Sequence, residues 1–101
     1  MTDKELLELA AKAAGISSDG LGGCFDMERD TLWNPLKEDG DALRLAVKLR
    51  MCVEPWGAGA SATVCVNNRA LVAEPHYGDD PERATRRAIV KAAAEIGRDM
   101  P

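Results

Sequence analysis

His76 is the only histidine in the chain, and Tyr77, Asp79 and Asp80 follow it closely. An imidazole titrates near neutrality and a nearby carboxylate can orient it, so this cluster has the ingredients of an acid–base pair or a metal site. The plainer reading is a solvated loop ahead of a helix, with Asp80 as the cap and Asp79 in water. Cys24, Cys52 and Cys65 add three thiols, which with His76 would complete a four-ligand zinc set. Structural zinc sites draw their ligands from closely spaced pairs, and these cysteines are scattered. Cys52 and Cys65 fall instead on strand-like stretches, where cysteine behaves as a small apolar residue. None of the three thiols has an assigned base to make it a nucleophile. Asp39 and Asp41 with Asp79 and Asp80 would offer oxygen ligands, but both pairs stand at helix starts, where capping and the helix dipole already account for acids.

Gly57-Ala58-Gly59-Ala60-Ser61-Ala62 fits the G-x-G-x-x-A pattern of dinucleotide sites. That mechanism needs a strand before the glycines and a helix after them, so that the pyrophosphate meets the helix N-terminus. Here an alternating, strand-like stretch comes next, and a plain turn is the better reading. No G-K-[ST] phosphate loop is present. These residues call for no cofactor and no metal. The remaining material is for binding. Trp and Arg are the residue types that anchor interfaces, and Trp33, Trp56 and the Arg83, Arg86, Arg87 group supply them. Trp33, Trp56, Arg83 and Arg87 are the expected contact residues; His76, Asp79 and Asp80 form the alternative site. Against this stands packing of Trp33 on the second helix, and a solvated face for the arginines.

The elements that must position these residues belong to a single domain over residues 1–101, given the length of the chain. With 46% hydrophobic but only 4% aromatic residues, its core must be built from Leu, Val, Ile and many Ala. The net charge of −4 arises in residues 1–30, where seven acids meet three bases; the rest of the chain is balanced. Lacking a basic excess, the chain has no broad attraction to phosphate backbones or anionic lipids, which argues against nucleic acid as a partner. No apolar run approaches the roughly 20 residues of a membrane span. An odd cysteine count and a charged N-terminus point to reduced thiols in a cytoplasm.

Thr2-Asp3-Lys4-Glu5 reads as a capping box opening a helix, with Leu6, Leu7, Leu9, Ala10, Ala13 and Ala14 as its apolar stripe. Gly15 suits the left-handed residue that ends it, with Ile16 as the apolar residue beyond. Residues 17–23 read as loop, and Cys24 to Glu28 as a short edge strand. Pro35 keeps Asn34 out of the helical region. Asp39 or Asp41 then caps a second helix to about Leu49, apolar around much of its circumference and so expected to be well buried. Met51 to Glu54 reads as a strand stopped by Pro55. Residues 60–74 read as a hairpin with Asn67-Asn68 at the bend. Neither hairpin face is clearly polar, so the sheet wants cover on both sides. Asp80 and Pro81 open a last helix, Gly97 stands where it would stop, and Ala84, Ala88 and Ala92 let it lie close to the sheet. Glu82 and Arg86 have the spacing of a surface ion pair. The expected fold is α+β: a helix-sheet-helix layered sandwich, with a small, mainly antiparallel sheet of about three strands and three helices.

Two blocks carry a family resemblance. Trp33-Asn34-Pro35-Leu36 with Asp39-Gly40-Asp41-Ala42-Leu43-Arg44-Leu45-Ala46, and Asp80-Pro81 with Ala84-Thr85-Arg86-Arg87-Ala88-Ile89-Val90, resemble small phage- and prophage-encoded proteins of the phage ABA-sandwich domain family. The helix Leu6 to Gly15 is similar as well. The resemblance implies a layered helix-sheet-helix fold and expression in a bacterial cytoplasm. It transfers no activity, substrate or catalytic residue, because the family name describes a shape. The expectation for function is a non-enzymatic accessory protein that binds a host or phage protein. The alternatives are a small metal-dependent or acid–base enzyme using His76 and its aspartates, and a homodimer formed through an exposed strand edge.

Overall fold

The computed structural model describes residues 2–18, 23–55, 61–66, 69–75 and 81–100. Helix α1, Asp3–Ala14, starts as its capping box predicts, with the Glu5 N–H donating to Thr2 Oγ1 at 3.2 Å. Its buried stripe is Leu6, Leu7, Ala10, Ala11 and Ala14. Gly15 ends it at φ 72°, and the Ile16 N–H reaches back to the Ala11 carbonyl at 2.8 Å. This is the left-handed closure that glycine adopts without penalty.

In place of a loop with an edge strand, the next stretch forms a small antiparallel sheet. β1, Ser17–Ser18, pairs with β2, Cys24–Asp26, and β2 pairs with β3, Thr31–Leu32. The Cys24 strand is therefore central and not at the edge. The deciding contact is local: the Asp26 carboxylate accepts from the Glu28 and Arg29 N–H groups at 3.1 and 3.3 Å, folding the turn that returns the chain as β3. The Trp33 N–H then donates to the Cys24 carbonyl at 3.0 Å, which lays Trp33 into the core.

Helix α2, Asp39–Lys48, departs from expectation twice. Its N-cap is Glu38, whose side chain makes no capping bond; Asp39 and Asp41 lie inside the first turn and their carboxylates serve tertiary contacts instead. It is also only half buried. Ala42, Leu45 and Ala46 face inward, while Leu43 and Val47 are 65% and 68% exposed. An apolar circumference buries only the side that neighbours cover, and α2 is a peripheral helix packed chiefly on the last one. It ends through Arg50 at φ 56°, with the Met51 N–H on the Ala46 carbonyl at 2.8 Å.

The main sheet has the order β4-β5-β6, with β4 Cys52–Pro55, β5 Ser61–Val66 and β6 Arg69–Pro75, all antiparallel. Val66 lies opposite Arg69, as a hairpin bend at Asn67-Asn68 requires; those two residues lie outside the described ones. Helix α3, Pro81–Arg98, touches all three strands and both other helices. Gly97 sits inside its last turn and has a packing role rather than that of a stop. A Cβ there would collide with the Leu9 carbonyl of α1. Ala10, Ala11, Ala14, Ala88, Ala92 and Ala93 are all buried in the same core, which is how a chain poor in aromatics brings helices together. The molecule is an α+β protein, with three helices, a main three-stranded antiparallel sheet and the small sheet β1-β2-β3 among the described residues. Among the described residues no helix is long and apolar enough to cross a membrane.

Candidate functional site

Arg83 and Arg87 are four residues apart on α3 and so share one face of the helix. Across from them stands the first turn of α1, with Asp3, Lys4 and Leu7. The Asn34–Lys37 segment closes the third side. Together these residues enclose a groove of about 350 Å³. Lys4, Lys37, Arg83 and Arg87 contribute four positive charges to it and Asp3 one negative charge. Leu7 and Leu36 give it apolar floor. Arg87 Nη1 pairs with Asp3 Oδ1 at 3.0 Å and ties the start of α1 to α3. Lys4, Lys37 and Arg83 are exposed. A groove of this make-up suits an extended or helical segment that carries carboxylates and an apolar side chain.

Both ends of the Asn34–Lys37 wall are anchored from behind. Asp41 Oδ2 accepts the Asn34 N–H at 2.9 Å, while its Oδ1 receives Arg44 at 2.7 Å and Arg29 at 3.3 Å. Burial alone would raise the pKa of this carboxyl, and it is the largest single influence. The Asn34 N–H, the hydrogen bond and charge of Arg44, and the charge of Arg29 together outweigh it, so the group sits below the ordinary carboxylate range. At the other end Arg86 Nε donates to the Leu36 carbonyl at 3.0 Å, and its Nη1 pairs with Asp39 at 2.5 Å. Arg86 thus serves the wall and α2 instead of pairing with Glu82.

The residues singled out in the sequence scatter. Arg83 and Arg87 meet in the groove. Trp33 does not join them: it is 5% exposed and belongs to the core, so it has almost no surface to offer a partner. Trp56, His76, Asp79 and Asp80 lie outside the described residues, and so do Gly57 to Ala60 of the glycine pattern. The element after those glycines is strand β5, not the helix a dinucleotide site needs. Cys24 is buried, with its thiol toward the Leu7 carbonyl at 3.9 Å. Asp3, Lys4 and Lys37 were not legible as site residues in the sequence. Single charges on three separate elements carry no spacing signal; only the packing of α1 on α3 assembles them.

Another concavity of about 430 Å³ lies between α2, α3 and β4, lined by Ala42, Leu43, Ala46, Val53 and Ile89 together with Asp39, Glu82, Thr85 and Arg86. Its exposed surface is mostly apolar, and Asp39 and Arg86 are engaged with each other. Fold and groove together define a small α+β protein with a basic, partly apolar concavity. No protein-family model, no curated protein and no solved structure matches the chain.

Proposed function

We propose that this protein is a non-enzymatic binding protein that grips an acidic segment of another protein in the groove between α1 and α3. One observation supports this reading above others: a chain of net charge −4 gathers Lys4, Lys37, Arg83 and Arg87 around a single concavity with an apolar floor. Local positive charge on an acidic molecule favours a compact acidic motif over a long polyanion, because the rest of the surface repels the latter. The wall of the groove is pre-set by Asp41 and Arg86, which lowers the ordering cost of binding. The resemblance to phage-encoded proteins directs the search toward a phage or host protein in the bacterial cytoplasm.

The test is capture from bacterial lysate, followed by fluorescence anisotropy with a labelled acidic peptide from the captured protein. The paired variant Lys4→Glu with Lys37→Glu changes two exposed charges of the groove. It should keep the wild-type circular dichroism and melting point and weaken binding by about tenfold or more, equivalent to ~1.4 kcal/mol. Rising salt should weaken the wild type toward the variant. Equal capture by both proteins, or a folded protein with no specific partner, refutes the proposal.

A further inference from the structure

The β4–β5 register sets Cys52 opposite Cys65, in a ladder that continues through Val53 with Val64, Glu54 with Thr63 and Pro55 with Ala62. Directly opposed residues of an antiparallel pair share one face of the sheet, with Cα atoms about 4.5 to 5.5 Å apart. That spacing lies inside the roughly 4.4 to 6.8 Å window that a disulfide spans. Four consecutive pairs fix the register, so the apposition rests on the whole ladder and not on one contact. The third cysteine is apart from them: Cys24 is on β2, buried, beside the Leu7 carbonyl. Of three cysteines whose sequence spacing shows no pairing, the fold brings two to opposed positions.

We propose that Cys52 and Cys65 are a redox-responsive cross-strand pair that closes to a disulfide at the expense of a small-molecule disulfide such as oxidised glutathione. Cys52 is exposed and is the point of entry. Its thiolate attacks one sulfur of the reagent, forms a mixed disulfide and releases one glutathione thiolate. The Cys65 thiolate then attacks Cys52 Sγ and releases the second. The protein loses two protons and two electrons; the reagent's S–S bond is reduced to two thiols. The product links the first residue of β4 to β5 and locks their register. This inference is independent of the groove, which lies on other elements.

The experiment incubates the reduced full-length chain in glutathione buffers of increasing oxidised fraction, then quenches with acid and alkylates. Thiol titre under denaturing conditions should fall from three to one. Intact mass should drop by two hydrogens in a monomeric product, and non-reducing peptide mapping should recover Cys52 joined to Cys65. Cys24→Ser should leave the reaction intact, and Cys65→Ser should stop it at a mixed disulfide on Cys52. The inference is overturned if the wild type itself stalls at that mixed disulfide, links Cys24, joins two chains through Cys52, or keeps all three thiols. Mapping of the wild type decides the matter even where a serine variant fails to fold.

Discussion

Replacing Asp41 should cost more than a surface aspartate ordinarily does, and its cost should depend on pH. Asp41 is 4% exposed and holds three partners. In Asp41→Ala the Asn34 N–H loses its acceptor in a partly buried setting, worth about 1–3 kcal/mol. Arg29 and Arg44 are 43% and 49% exposed, so they recover water when the carboxylate goes, and each pair is worth only about 0–1 kcal/mol. The expected loss is about 2–3 kcal/mol, a fall of roughly 10–20 °C in Tm for a domain this size. Asp41→Asn keeps an oxygen for the Asn34 N–H and loses the charge, so it should cost about 1 kcal/mol less. The folded carboxyl is depressed below its unfolded value of about 3.9. Its stabilisation is therefore fully present above that unfolded value and is lost as pH falls through the folded one. Wild type should exceed Asp41→Asn by its full margin near neutrality, and the two should converge in acid. Urea unfolding followed by tryptophan fluorescence reads this, with Trp56→Phe leaving the buried Trp33 as sole reporter. A loss under about 0.5 kcal/mol for Asp41→Ala, or a wild-type margin over Asp41→Asn that does not shrink below about pH 4, refutes the reasoning.

Gly97→Ala tests the contact between α1 and α3. Helix propensity alone would make this change stabilising by about 1 kcal/mol, but the new methyl meets the Leu9 carbonyl, so thermal melting should show a net loss of about 1–3 kcal/mol. A higher Tm would mean that the helices are not in such close contact. Arg50→Gly should do the reverse: it removes an L side chain from φ 56° at the end of α2 and should raise stability by about 0.5–1 kcal/mol in urea titration, whereas a loss would show that the arginine side chain contributes more than its strained backbone costs.

Local chemistry was the legible part of this sequence. Thr2, Gly15 and Ile16 mark both ends of α1, because capping and left-handed closure depend on neighbours in the chain. The alternation from Ser61 to Val66 and from Arg69 onward marks a hairpin for the same reason. Asp39 and Asp41 misled, because an acid at a helix start has two uses, and only the placement of Asn34, Arg29 and Arg86 selects the tertiary one. Leu43 and Val47 misled as well: an apolar side chain does not state whether a neighbour will arrive to cover it. Arg83, Arg86 and Arg87 occupy one arc of the helix, and spacing does not separate them; the Leu36 carbonyl and Asp39 are what draw Arg86 away from the groove. Lys4 and Lys37 were not legible at all, since nothing short-range relates residue 4 to residue 87.

The seam between α1 and α3 also governs when the protein can become itself. α1 finds its principal mate in α3, far along the chain, and Lys12 Nζ even reaches the Met100 carbonyl at 2.9 Å. The strands β1 and β2 touch α1 only lightly, so most of the cover for its leucines and alanines comes from an element made long after it. Contacts of such wide sequence separation form late and prolong the exposure of apolar surface during folding.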